Sequence, residues 1–465
     1  LFFSLLLVAA FLLALTTGIA WSGDFFRARP FLVLLLGVSL LLIGMNLQSR
    51  WFFLISSLLV AALLVSLLLA RWSVSGVEVK RWGEPEVMEG EPLSMELTVK
   101  NKGRLPRRFL LLDDAGFNER FRHEQKGHSL RFSLRASSME APSVAEGAVP
   151  PNYTVTLYLP LLPPGKELQA RVSRIFCRRG IYTGGMVSLQ SGGWLGLCPA
   201  RKRRFIPTPV AVLPRYVELS SIPCLDSFLN HRKLRTEQSK RGHSLDFYGV
   251  REYQQGDPLR HIHWRSTARH GQLIVREFER ETGSLFSILL HNPRGCDLGP
   301  PGDSILDCEA RIGASLLHYA LSSGHPTRIA YAERGSFLIH EVLSLESSLL
   351  ELAALEDEGE LEAEEMLALA GEDAPAGSAL IAILPSLRFN LAAALERVPP
   401  SVQVIVVLLD LPSFASQLPS DAVLPSEEIE AWISFPPPGL SALFLFRKGD
   451  EIERCLSEPL LITSA

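Results

Sequence analysis

The pattern of apolar and polar positions changes character along the chain. Residues 1–21 (LFFSLLLVAAFLLALTTGIAW), 30–47 (PFLVLLLGVSLLLIGMNL) and 51–72 (WFFLISSLLVAALLVSLLLARW) are apolar runs, and the third is free of charge over 51–70. A helix of about 20 residues rises roughly 30 Å, the thickness of a bilayer core. Runs two and three, joined through Gln48, Ser49 and Arg50, predict a helical hairpin. Run one lacks a basic start and a small-residue cleavage site, so it reads as a transmembrane helix rather than a signal peptide.

From residue 73 the period drops to two. SGVEVKRW, PLSMELTVKNKG and the stretch beginning YTVTLYLP alternate apolar and polar residues between Gly and Pro punctuation. This predicts a β-sandwich of immunoglobulin-like type over 73–215. Residues 115–150 are polar and read as a loop or insertion. Residues 216–283 read as a linker and an arginine-rich block. Beyond 284 short, uniformly apolar strands (SLFSILLH, SALIAILPS, SVQVIVVLLD) alternate with helical spacing, as in SILDCEARIGASLLHYALSSG. Such strands are buried on both faces, which predicts an α/β domain over 284–465 with a mostly parallel sheet. SLESSLLELAALEDEGELEAEEMLALA reads as one acidic helical stretch, and GLSALFLFRKGD as the last strand.

Charge divides the chain along the same lines. Residues 71–282 carry 34 Lys and Arg against 22 Asp and Glu, whereas 283–465 carry 9 against 27. Ten acids and no bases lie between Glu351 and Asp373. Arg27 and Arg29 precede run two, and Arg71, Lys80 and Arg81 follow run three, while only Arg50 lies in the turn. The positive-inside rule then puts the body of the chain in the cytoplasm of a multi-pass inner-membrane protein. The six cysteines form no CxxC pair, which agrees with a reducing compartment and gives no zinc signal.

The densest chemistry lies in REYQQGDPLRHIHWRSTARHGQLIVREFERE, residues 251–281. Asp257 and Pro258 are a helix-start signal, and Gly271 a stop. The predicted helix carries Leu259, Ile262, His263 and Ser266 on one face, with Arg260, Trp264 and Ala268 on another. His261, Arg265 and Arg269 share a third. Trp264 is expected to be buried. LIVREFERE then alternates as a strand. Glu252, Asp257, Glu277 and Glu279 are placed to pair with Arg251, Arg260, Arg265 and Arg269. An ion-pair network, an anion- or partner-binding site and a catalytic site are the competing readings. Catalysis has least support, because no GxSxG, P-loop or HExxH occurs, and His261 and His263, two apart, do not chelate from one helix face. The local matching of bases by acids also argues against nucleic acid.

These residues resemble a family, the bacterial domain-of-unknown-function 58 proteins. The shared pattern falls on Gly242, Asp246, Phe247, Gly249, Arg251, Glu252, Tyr253, Gly256, Asp257, Arg260, Ile262, Trp264, Ala268, Arg269, Leu273 and Val275. The hairpin helices and RRGIYTGG (178–185) resemble the family layout too. The resemblance implies a C-terminal von Willebrand factor A-like domain. Its usual metal motif, D-x-S-x-S, is replaced here by LLHNPRG, with His291 in the place of Asp, so no metal and no cofactor are expected. It also implies a MoxR-type AAA+ ATPase as partner, together with von Willebrand factor A-like or transglutaminase-like membrane proteins. The expected function is a membrane-anchored, non-catalytic adaptor that uses the family residues structurally or for partner binding. The alternative is an enzyme or anion-binding protein centred on Arg251, Arg260, His261, His263, Arg265 and Arg269.

Overall fold

The structure, a computed structural model, describes residues 25–119, 132–135, 151, 153–192, 196–226, 247–253, 262–278, 285–415 and 423–463. Run one and most of 115–150 lie outside these residues. Two compact units divide the chain, Leu1–Leu213 and Pro214–Ala465.

In the first unit, α1 (Phe25–Leu47) and α2 (Arg50–Val74) form the expected hairpin, and both are long and apolar enough to cross a membrane. Small residues bring them together. Gly37 lies against Val60, and its carbonyl accepts a 2.7 Å hydrogen bond from Ser56 Oγ.

The rest of this unit is sheet. A three-stranded antiparallel sheet pairs β1 (Val77–Gly83), β3 (Pro92–Asn101) and β8 (Glu167–Ile175). A five-stranded sheet has the order β11 (Ala200–Phe205), β10 (Met186–Ser191), β4 (Arg107–Asp114), β7 (Val155–Leu162), β6 (Phe132–Arg135). Leu97, Val99, Ala170 and Val172 of the first sheet share one core with Leu110, Leu112, Leu157, Leu159 and Leu189 of the second. The alternating pattern of the sequence is thus the inward face of each strand. A four-stranded sheet, β2 (Glu86–Met88), β12 (Pro209–Leu213), β9 (Gly180–Gly184) and β5 (Phe117–Glu119), closes a smaller core around Phe117, Phe176, Val210 and Val212. The segment read as an insertion therefore contributes β5 and β6.

Charge lies inside this unit. Arg174 and Arg81 both meet Asp114, Arg174 Nη2 at 3.1 Å, and all three side chains are buried. Arg174 Nη1 also donates to Pro151 O (3.1 Å) and Tyr153 O (3.0 Å), and Arg81 Nη1 to Ile206 O (3.3 Å). Both guanidiniums lie over the Phe117 ring, at 5.1 and 5.6 Å. Gly184 leaves the space the Arg81 guanidinium occupies, where a Cβ would collide with it. Burial lowers the Arg174 pKa, and Asp114 opposes that shift.

In the second unit a seven-stranded sheet has the order β17 (Ser336–Glu341), β16 (Thr327–Glu333), β15 (Phe286–Leu290), β18 (Ala379–Pro385), β19 (Gln403–Leu409), β20 (Leu440–Phe446), β21 (Leu461–Ile462). The five central strands are parallel and the two edge pairings antiparallel. The expected last strand, β20, is followed by β21. Helices cover both faces, which is why β18 is buried at every position. Met366 and Leu367 pack on Leu289, Leu380 and Ala382, whereas on the other face a Cβ at Gly313 of the helix α4 (Ile305–Ser322) would lie 3.2 Å from Leu290 Cδ2. Ser304 caps α4, its Oγ accepting from Asp307 N–H at 3.3 Å. Residues 216–226 run along α4. Tyr216 stacks on His318 at 4.7 Å, and Val217 N–H donates to Ser315 Oγ at 3.0 Å.

Candidate functional site

The arginine-rich block folds as strand, helix and strand. β13 (Phe247–Glu252) and β14 (Ile274–Phe278) pair antiparallel, with Arg251 opposite Val275 and Glu252 opposite Ile274. Between them lies α3 (Trp264–His270), with Gly271 as its left-handed C-cap at φ 69°. The stop signal was therefore legible. The start was not, because the helix begins at Trp264 after His263, and Gly256, Asp257, Arg260 and His261 lie outside the described residues. Tyr253 N–H donates to Leu273 O and His263 N–H to Ile274 O, both at 2.8 Å. Thr267 Oγ1 accepts from Ile274 N–H at 3.1 Å, and His263 Nδ1 sits 2.6 Å from Ser266 Oγ.

Trp264 is not buried. It is 67% exposed, against the expectation from its size. The apolar position beside β14 belongs to Ile262, which bridges Val275 and is 5% exposed. A helix of two turns has one inward side, and the first helical residue, Trp264, points away from it. Arg265, Ala268 and Arg269 are exposed as well. Arg265 and Arg269, four apart, form one cationic face. The side chains of Arg251, Glu252 and Glu277, and all of Glu279, lie outside the described residues, so the proposed Arg–carboxylate pairs do too.

In open α/β sheets ligands bind beyond the carboxyl ends of the strands. At the end of β15, His291 is 2% and Asn292 1% exposed. His291 Nε2 lies 3.2 Å from Leu361 O, and burial lowers its pKa to about 4. The Asn292 amide donates to Ala332 O at 2.8 Å and Glu356 O at 2.6 Å and accepts from Ala332 N–H at 3.1 Å. Ser386, at the end of β18, accepts from Leu411 N–H at 2.9 Å. Asp410, at the end of β19, has a pKa raised by burial and lies 3.7 Å from Arg447. These groups do not fit a divalent ion. The imidazole bonds Leu361 O through Nε2, and no further imidazole, thiolate or carboxylate among the described residues joins its unbonded Nδ1 in a metal-ligating group; the amide is committed to main-chain partners, and the carboxylate is paired with a cation. Among the described residues no group of three His, Cys, Asp or Glu is placed to hold a metal.

The acidic run is two helices rather than one, α5 (Leu345–Ala354) and α6 (Ala363–Glu372). Gly359 breaks it by bridging Pro293: its N–H donates to Asn292 O at 3.0 Å, and its carbonyl accepts from Arg294 N–H at 2.9 Å. The acids of the break tie loops together. Glu360 meets Arg294 at 3.2 Å, Glu358 meets Arg334 at 3.0 Å, and Asp357 accepts from Gly295 N–H at 3.2 Å. Glu362, Glu365, Leu369 and Glu372 remain exposed on one side of α6, at spacings of three, four and three. Among the described residues none of these three glutamates has an ion-pair partner. The charge count found this region, but only the packing separates the committed acids from the open ones.

Fold and block together define a chain with two apolar helices, a β-rich body and a mixed-sheet α/β unit that carries an arginine-rich strand–helix–strand. Residues 249–330 match the family described as protein of unknown function DUF58. No curated protein matches it. Among solved structures it is similar to the CARDB domain of the PF1109 protein from Pyrococcus furiosus, at 13% identity over 30% of this chain and 87% of that one, with a TM-score of 0.17. It is also similar to Spo0M, a sporulation control protein from Bacillus subtilis, at 10% identity over 39% and 59%, TM-score 0.14. A GH20 exo-β-N-acetylglucosaminidase from Vibrio harveyi matches at 10% identity over 72% and 57%, TM-score 0.17. Likenesses this distant bear on neither fold nor function.

Proposed function

We propose that this protein is a membrane-anchored, non-catalytic adaptor whose α/β unit docks a MoxR-type AAA+ ATPase. In this reading α1 and α2 span the inner membrane and the soluble units lie in the cytoplasm. The β-rich body is an immunoglobulin-like sandwich, and the α/β unit is a von Willebrand factor A-like fold without its metal. The supporting observation is the open side of α6, where Glu362, Glu365 and Glu372 flank Leu369, which is 37% exposed. Acids around an exposed leucine suit a basic surface with an apolar centre. The commitment of Asn292 and Ser386 to main-chain bonds at the strand ends favours a binding role over a catalytic one.

Capture of the detergent-extracted full chain, followed by mass spectrometry, tests this. An AAA+ ATPase should co-purify with the native chain and be lost with Glu362→Lys/Glu365→Lys/Glu372→Lys. If the variant retains the ATPase, the docking face is wrong. If no ATPase accompanies the native chain, the adaptor reading falls.

A further inference from the structure

Where α2 ends, the β-rich unit presents a cluster of loops. Lys102 N–H donates to Gly76 O at 2.8 Å, just past the helix. Asn101 gathers two loops at this point. Its Nδ2 donates to Leu105 O and Leu162 O, both at 3.0 Å, and its Oδ1 accepts from Gly103 N–H at 2.9 Å. Its main chain accepts from Gly165 N–H at 2.9 Å and donates to Lys166 O at 3.1 Å. The Arg107 guanidinium lies 3.9 Å from the Trp72 ring centre.

A third segment climbs the side of α2. Cys198 N–H donates to Ser66 Oγ at 3.2 Å, and its Sγ lies 3.8 Å from Leu63 O. Ser66 precedes the helix end by eight residues, about 12 Å along the axis. Over the same stretch Leu64, Val65, Leu67 and Leu68 are exposed. One side of the helix therefore faces protein while the other is apolar and bare.

This fixes a depth. If residues 51–70 fill a bilayer core, Ser66 lies about 6 Å inside its edge, so protein seated there passes through the headgroup layer. The loops at the helix end then face the lipid surface. They expose Lys102, Arg104 and Lys166, and Arg71 projects from the last turn of α2. Leu105, 55% exposed, stands among them. Glu78 and Glu167 share this end, but they lie 3.0 Å from Lys102 and 3.3 Å from Lys100. Among the described residues no carboxylate lies within ion-pair distance of Arg71, Arg104 or Lys166.

We infer that Arg71, Arg104 and Lys166 form a docking surface for anionic phospholipid headgroups, which seats the β-rich unit against the bilayer as a rigid continuation of α2. The inference rests on the membrane-spanning reading of α1 and α2. A cation near an anionic bilayer strengthens binding about five-fold, so removing three should abolish most of the preference for anionic lipid.

The test uses the full chain. Resistance of the membrane-bound chain to alkaline extraction checks the anchor first. Native mass spectrometry of the detergent-purified protein then compares retention of phosphatidylglycerol with phosphatidylcholine of the same acyl chains. The native chain should prefer phosphatidylglycerol, and Arg71→Gln/Arg104→Gln/Lys166→Gln should retain both lipids alike. A control of equal charge change in the other unit, Arg388→Gln/Arg397→Gln/Arg454→Gln, should keep the native preference. Should the triple variant fail to fold, Arg104→Gln alone, in an exposed loop, should lower the preference about five-fold. No preference in the native chain, an unchanged preference in the folded variants, or an equal loss in the control would overturn the inference. Alkaline release of the native chain would instead overturn the anchor on which it rests.

Discussion

In the β-rich unit the largest fully buried side chain is an arginine, Arg174, held with Arg81 against Asp114 inside the sheets. In the α/β unit β18 and β19 carry only apolar side chains apart from Gln403, and the buried polar groups His291, Asn292 and Ser386 stand just past strand ends. The difference follows from how each unit closes. A parallel sheet covered by helices on both faces has no wet side, so its inner strands β15, β18, β19 and β20 carry no charge. Its polar groups serve where the ladder stops and main-chain groups need partners. The β-rich unit joins three sheets, and the carbonyls of Pro151, Tyr153 and Ile206 need donors where those sheets meet. Two guanidiniums supply them, and Asp114 supplies the countercharge. Buried charge marks a sheet junction in the β-rich unit, whereas in the α/β unit the buried carboxylates Asp307 and Glu309 lie on the helix α4 and neutral polar groups mark strand ends.

The largest expected effect is at the charged junction. Asp114→Ala leaves two buried guanidiniums without their carboxylate and should lower stability by about 3–5 kcal/mol. Adding Arg81→Met and Arg174→Met should restore much of that loss, because an apolar core then replaces a broken ion cluster. Urea unfolding of the three proteins checks both steps. A small effect of Asp114→Ala would erase the contrast between the units.

Next comes the neutral polarity of the α/β unit. Burial holds the folded His291 at about 4, below its ordinary 6.5. As pH falls the unfolded chain takes up the proton first. The contribution is complete above about pH 6.5 and drains away as pH falls to about 4, a loss of about 3 kcal/mol over that window. His291→Gln should flatten this slope, and the urea midpoint measured across the same pH range reads it. A slope that persists unchanged in the variant would place the titrating group elsewhere.

The smallest effect is expected at Trp264. Because it is exposed, Trp264→Ala should change stability by less than about 0.5 kcal/mol. Ile262→Ala, at the buried bridge to Val275, should cost about 2–4 kcal/mol. Thermal unfolding of the two variants distinguishes the member of this motif that packs from the one that faces solvent.

How far the sequence could be read varies with the range of the forces involved. The helical hairpin, the period-two strands, the apolar parallel strands and the Gly271 stop were all legible, since each depends on neighbouring residues and their spacing. The acidic stretch was read as one helix. Its break needs Gly359 to meet the end of β15, and a Cβ there would lie 2.7 Å from Asn292 O. Trp264 was assigned to the interior by its size, but a two-turn helix beside one strand offers a single inward position, which Ile262 holds.

The sequence by itself determined the element types, the apolar hairpin, the sheet class of each unit and the arginine-rich block that falls in the family match. Local propensity and hydrophobic period act within a few residues, and they suffice for that. Only the tertiary structure decided which charges are buried, which acids are committed to loops and which remain open on α6. It also decided how the loops of the β-rich unit seat on α2. Those outcomes depend on groups far apart in sequence, Arg81 with Asp114 and Arg174, or Ser66 with Cys198, whose desolvation and hydrogen bonding are settled only when the chain brings them together.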